Sequence, residues 1–153
     1  MGMKQILVMM AAVVLVGCGE KAVIADRVVE RAVRKSLKKP EGKLTEADLE
    51  KVTSLNLGRT QITDEGLKEV AKLQNLKKIS LEDTRITDAG LTHLKSWPNL
   101  RELNLRATII TDAGLVHLKG MTKLEMLDLT SNKVTDAGIA DLQKALPNCG
   151  IQK

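Results

Sequence analysis

The sequence has no Tyr, no Phe and a single Trp in 153 residues. A core left to Leu, Ile, Val and Ala suits repeated aliphatic layers better than a globule closed around large rings. The same shortage argues against single-strand nucleic-acid binding, which stacks bases on aromatic platforms, and against sugar binding. Two His and two Cys make four candidates for a zinc site, and none stand at ligand spacing. The sequence contains no Gly-rich phosphate loop, no nucleophile–base–orienter grouping and no paired carboxylates outside its repeats, so neither catalysis nor a cofactor is expected. What is present, 43% hydrophobic and 28% charged residues, belongs to a folded domain.

Lys4 precedes an uncharged run from Ile6 to Val16. Eleven residues are too few to cross a bilayer, which takes about twenty, and fit the apolar stretch of a secretory signal. Leu15-Val16-Gly17-Cys18 comes directly after it and resembles the lipobox of bacterial lipoproteins. That resemblance implies cleavage before Cys18, acylation of its sulfur and a mature chain of 136 residues anchored to a membrane outside the cytoplasm. Gly19, where an Asp would signal inner-membrane retention in lipoproteins, slightly favours an outer membrane in a host that has one. With Cys18 acylated, Cys149 has no partner within the chain and reads as a small buried hydrophobe of a C-terminal cap.

Lys21 to Lys43 carries eight Lys and Arg against Asp26, Glu30 and Glu41, a local excess equal to the whole chain's net charge of +5. Ile24, Val28, Val29, Ala32, Val33 and Leu37 recur at steps of three and four, an apolar stripe on a helix that Pro40-Glu41-Gly42 ends. The stripe fits either a capping helix packed on the domain C-terminal to it, the favoured reading, or a helix lying on anionic lipid. Thr45 then suits the N-cap of a short helix, with Asp48 completing a capping box and Leu44 and Leu49 a hydrophobic staple.

Self-similarity is the strongest signal. Thr63-Asp64, Thr87-Asp88, Thr111-Asp112 and Thr135-Asp136 lie 24 residues apart, and Gly66, Gly90, Gly114 and Gly138 keep that period. So do the pairs Leu55/Leu57, Ile79/Leu81, Leu103/Leu105 and Leu127/Leu129, whose alternation with polar neighbours is that of a strand. Each unit reads as a short strand, a turn, a helix capped by its Thr with the Asp in the first turn, and a return loop. No unit buries its Leu set alone, so stability comes from stacking.

The units resemble the leucine-rich repeat L-x-x-L-x-L-x-x-N, with Thr60, Thr84, Thr108 and Asn132 at the Asn position, so a polar ladder made mostly of Thr hydroxyls is expected. Their I-T-D-x-G-L signature is similar to that of bacterial leucine-rich repeat lipoproteins and of the repeat arrays of F-box proteins, although nothing here resembles an F-box. The resemblance implies an α/β fold, a right-handed leucine-rich repeat solenoid of about four 24-residue strand–turn–helix coils with an N-terminal capping helix. Leu146 to Ile151 resembles a terminal cap that starts a fifth strand. The expected organisation is a signal peptide at 1–17, a lipidated Cys, basic amphipathic helix and tether at 18–43, and the repeat domain with its caps at 44–153.

Strand side chains pointing away from the core would line a concave face: Ser54, Asn56 and Gly58; Lys78, Ser80 and Glu82; Glu102, Asn104 and Arg106; Met126, Asp128 and Thr130. They vary between units while the flanking Leu positions do not, as a specific ligand surface would. The leading expectation is therefore a non-catalytic, membrane-anchored module that binds an unidentified protein or peptide there, with no nucleic-acid partner. The alternative is a self-associating structural protein of the cell envelope. No metal is expected: the Asp column is explained by helix N-termini, and His93 and His117 lack a third ligand. Trp97 stands where other units have Leu73, Met121 and Ala145, and reads as a core filler or, if partly exposed, an interface anchor.

Overall fold

The 24-residue step in the sequence becomes a step from strand to strand. A computed structural model describes residues 24–153; the signal segment, the lipobox and Cys18 lie outside the described residues. Five three-residue strands, β1 (Ser54–Asn56), β2 (Lys78–Ser80), β3 (Glu102–Asn104), β4 (Met126–Asp128) and β5 (Gly150–Gln152), form one parallel sheet in sequence order. Leu55, Ile79, Leu103, Leu127 and Ile151 stand side by side across it, so the register repeats the sequence period and the expected fifth strand is present.

Between strands the chain crosses over through helices of unequal length: α3 (Asp64–Val70), a 3-10 helix (Gly90–Ser96), α4 (Asp112–Leu115) and α5 (Asp136–Ala145). The 3-10 segment carries the same apolar spacing as the α-helix of the first unit, where Leu67, Val70 and Leu73 are also buried, and the spacing is compatible with both. Leu91, Leu94 and Trp97 fall at steps of three, which eclipse on a 3-10 helix, and all three are buried. Each unit contributes one layer to a single continuous core. In the second unit the layer is Ile79, Leu81, Ile86, Leu91, Leu94, Trp97 and Leu100, and the buried residues of the last unit include Leu146 and Cys149. Burial raises the Cys149 thiol pKa, as its reading as a small hydrophobe requires.

The first layer is closed from the N-terminal side by α1 (Arg27–Leu37) and α2 (Glu46–Leu49). Asp26 caps α1, accepting from the backbone N–H of Val28 at 2.7 Å and of Val29 at 3.0 Å. The helix ends at Lys38 in a left-handed conformation (φ 53), two residues before Pro40. Val29 and Val33 are fully buried, and Val28, Ala32 and Leu37 pack against the same core. The apolar stripe is thus spent on the first unit. The capping box of Thr45 and Asp48 forms, with Leu44 and Leu49 both buried. The Asp48 carboxyl is held below the usual carboxylate range, first by the Lys39 ammonium at 2.7 Å and then by Thr45. Among the described residues no helix is long and apolar enough to cross a membrane.

The polar ladder departs from expectation. Thr60, Thr84 and Thr108 donate to the carbonyls of Leu57, Leu81 and Leu105, three residues back in their own units. A hydroxyl has one proton, so that bond leaves nothing to donate to the neighbour. Only Asn132, with two donors and a carbonyl, bridges units there: it donates to the carbonyls of Leu105 and Leu129 and accepts the backbone N–H of Ile110, while its Oδ1, 2.9 Å from the Thr108 hydroxyl, competes with the Leu105 carbonyl for that one proton. The bridging instead belongs to the Asp column. Asp64, Asp88 and Asp112 each accept the backbone N–H of Thr87, Thr111 or Thr135 at 2.8–2.9 Å and the same residue's hydroxyl at 2.6 Å. This also explains the recurring glycine. A Cβ on Gly90, Gly114 or Gly138 would stand 2.3 Å from the Oδ1 of Asp64, Asp88 or Asp112.

Candidate binding face on the parallel sheet

Because strand side chains alternate, each strand turns its central residue into the core and its two ends to the other side. Register then aligns two rows. One is Ser54, Lys78, Glu102, Met126 and Gly150; the other is Asn56, Ser80, Asn104, Asp128 and Gln152. Neighbouring strands lie about 4.8 Å apart, so the residues within a row touch or nearly touch. A shallow groove of about 310 Å³ runs over strands β2 to β5, lined by Lys78, Ser80, Glu102, Asn104, Met126, Asp128, Gly150 and Gln152.

Six of the sequence-expected face residues therefore come together in this groove. Ser54 and Asn56 lie on the same face at its β1 edge, outside the groove lining, while Glu82, Arg106 and Thr130 follow the strands in the turns. Gly150 and Gln152 were missed by sequence reasoning. Carrying the 24-residue register one step past Met126 and Asp128 would have found them.

The row facing the turns is partly committed to its own backbone. Asn56 Oδ1 accepts from Gly58 N–H, Asn104 Oδ1 from Arg106 N–H and Asp128 Oδ1 from Thr130 N–H, each at 2.9 Å. These bonds brace the turns in which Arg59, Ala107 and Ser131 adopt positive φ, as Asp83 does at the equivalent position after Ser80 without such a bond (φ 52–62°). In the other row, Lys78 Nζ pairs with Glu102 Oε2 at 2.5 Å across adjacent strands. Both side chains remain substantially exposed, so the pair contributes little to stability and stays open to exchange with a ligand's charges. Beside it Met126 is 54% exposed, an apolar side chain where the other strands carry Ser54, Lys78, Glu102 and Gly150. The groove offers an adaptable thioether flanked by an exchangeable ion pair, the backbone-fixed amide of Asn104 and the backbone-fixed carboxylate of Asp128.

Trp97 is not an anchor. It is 1% exposed and its indole N–H donates to the Val70 carbonyl at 3.2 Å, tying the second layer to the first. His93 and His117 sit outside the core on consecutive crossovers. Among the described residues no three His, Cys, Asp or Glu gather as metal ligands.

Two leucine rich repeat family models match the sequence, one over residues 49–71 and one over 74–134. No curated protein sequence matches. Among solved structures the chain is similar to an internalin (inlF) from Listeria monocytogenes, with 23% identity and a TM-score of 0.65 over 83% of this chain and 36% of that one. It is similar to internalin C2 of the same organism, with 30% identity and a TM-score of 0.64 over 83% and 53%. A leucine-rich repeat protein of Leptospira interrogans gives 22% identity and a TM-score of 0.55 over 70% and 26%. The chain spans about a quarter to a half of the length of these structures. Parallel register, stacked aliphatic layers and both sequence matches agree that the chain carries a leucine-rich repeat domain.

Proposed function

We propose that the protein is an exported lipoprotein in which acylated Cys18 tethers a right-handed solenoid of about four coils, and that this domain binds a protein or peptide without catalysis. Leucine-rich repeat arrays generally act as protein-interaction modules, presenting an extended concave surface whose side chains change from unit to unit. The observation that carries the reading is the β2–β5 groove, in which exposed Met126 lies beside the Lys78–Glu102 pair. Anchoring at Cys18 would confine the domain to a membrane surface and raise its effective concentration toward partners held there.

Affinity capture from crosslinked membranes tests this. The bait is the acylated protein, and the comparison is Lys78→Ala, Glu102→Ala and Met126→Ala combined, three residues that do not brace the turns. A partner held by the unsubstituted bait and lost with the triple variant supports recognition through the groove. A partner captured equally by both sinks it. Capture of the protein's own chain alone would replace it by the self-associating envelope reading.

A further inference from the structure

Having lost its apolar stripe to the core, α1 still presents a second face. Arg27, Arg31, Lys35 and Lys38 succeed one another at steps of four, four and three, so they project from one side of a helix about 16 Å long. All four are exposed, and among the described residues none has an ion-pair partner. Three of the nearby carboxylates are engaged elsewhere, and Glu41, three residues past Lys38, is exposed. Glu30 is bound by Arg34 at 2.8 and 3.0 Å, Asp48 by Lys39, and Glu69 by the Ala25 N–H and Lys72.

Against this face lies the turn after β1. There Arg59, in the left-handed conformation (φ 57), extends a side chain that is 77% exposed toward solvent. Between helix and turn is a groove of about 440 Å³ whose lining includes Arg31, Lys35 and Arg59 with the polar Asn56, Thr60 and Gln61, and contains no carboxylate. The nearest acid to Arg59 is Glu82, at a loose 3.6 Å. A second concavity of about 360 Å³ continues along α1 and is lined by Arg31, Arg34, Lys35, Lys38 and Pro40.

We propose that α1 and the Arg59 turn form a docking face for the anionic phospholipid headgroups of a membrane. The contact is electrostatic, since the stripe that would insert into acyl chains is occupied by the first core layer. Arg side chains suit phosphate, which they bind with two parallel N–H donors. The cations are spread along a helix rather than gathered around one point, which fits a plane of headgroups better than a single small anion. Each basic residue at such a surface contributes on the order of 1 kcal/mol, screened within a Debye length of about 10 Å. On the lipidation reading above, on which the argument rests only for proximity, eight residues from Cys18 to Asp26 reach at most about 29 Å, and α1 is the first element after them.

The test is binding of the full chain carrying Cys18→Ser, so that no acyl group contributes. Vesicles of phosphatidylcholine alone are compared with vesicles holding about 30 mol% phosphatidylglycerol, at low and high salt. The preference for anionic vesicles should fall about tenfold or more in Arg31→Gln, Lys35→Gln, Arg59→Gln, and high salt should remove it. A charge-matched variant, Lys95→Gln, Lys123→Gln, Lys144→Gln, should keep the preference. Equal loss in both variants would reduce the effect to net charge and overturn the site. Displacement from the vesicles by millimolar glycerol phosphate would overturn the membrane as the occupant in favour of a small soluble anion. Residues 1–23, with Lys4 and Lys21, are the same in every variant, so their contribution cancels in the comparison between variants. Acyl labelling of unsubstituted Cys18 separately decides the lipidation reading, so the two can fail independently.

Discussion

At Gly114 two opposing effects can be weighed. Alanine in a helix is favoured over glycine by about 1 kcal/mol, which argues for Gly114→Ala as a stabilising change. Against it, the new Cβ would stand 2.3 Å from Asp88 Oδ1 and 2.9 Å from its Cγ. That carboxylate has no room to yield cheaply, because it accepts the Thr111 N–H at 2.9 Å and the Thr111 hydroxyl at 2.6 Å. Hydrogen bonds to a charged group are worth about 1.5–3 kcal/mol each, so displacing the pair outweighs the helix gain. Gly114→Ala is expected to destabilise by about 2 kcal/mol net. Gly120→Ala is the contrast: its Cβ meets nothing within 4 Å and Gly120 is not at positive φ, so the change should be neutral or stabilise by about 0.5 kcal/mol. Urea denaturation of the two variants decides. Equal midpoints would mean that the Asp88–Gly114 contact does not set the spacing of the units.

The Asp column is where one crossover is fastened to the next, and it ends at a residue that has no next crossover among those described. Asp136 is 97% exposed in its side chain and meets only Lys153, whereas Asp88 fastens the unit of Thr111. Asp88→Ala should therefore lower stability by about 2–3 kcal/mol through the orphaned Thr111 donors, and Asp136→Ala should leave the denaturation midpoint where it was. At Asp112 the fastening also contributes to the acid limb. The Thr135 hydroxyl, and then its backbone N–H, hold the Asp112 carboxyl below its ordinary 3.8. A depressed folded value means that the contribution is complete above the unfolded value and lost as pH falls through the lower folded one. Melting temperature should stay level from neutral pH to about 5, then drop below about 4, with a shallower drop in Asp112→Ala. The elements themselves were legible in the sequence. Strands, the capping box, the fifth strand and the helix starts at Thr111 and Thr135 follow from apolar alternation and cap chemistry, which act within a few residues, whereas Thr63 makes no capping bond and the 3-10 helix begins past Thr87, at Gly90. The Asp-to-Thr fastening was not, because a carboxylate in a first helical turn already has a local explanation and the pattern carries no sign of a partner 23 residues on. In the candidate groove the rows were legible from alternation, but the bonds turning Asn56, Asn104 and Asp128 onto their own turns were not. Nor was the burial of α1's stripe settled, since a basic amphipathic helix reads alike on a core and on a bilayer.

Across the whole molecule, stability is a sum of layer contacts with no closed centre, and this decides how a core lesion spreads. Leu105 is fully buried in the third layer, its N–H donating to the Asp128 carbonyl at 2.9 Å and its carbonyl receiving both Thr108 and Asn132 at 2.7 Å. An aspartate there puts a charge among Leu side chains with no cation at hand, a cost of several kcal/mol that is comparable to the stability of an ordinary domain. Because neighbouring layers support each other, failure of the third would remove one face from the second and the fourth, and the ends alone hold too few units to persist. Leu105→Asp is accordingly expected to abolish the cooperative melt by circular dichroism. Asn104→Asp, one residue earlier and on the opposite face, keeps an oxygen for the Arg106 N–H and should still melt cooperatively, with only a small loss from the Asp128 carboxylate opposite it on the next strand. The pair reads the register directly, since a slip of one residue exchanges the two faces of a strand. A cooperative melt in Leu105→Asp, or collapse in Asn104→Asp, would put the wrong side of every strand toward the core and dissolve the groove with it.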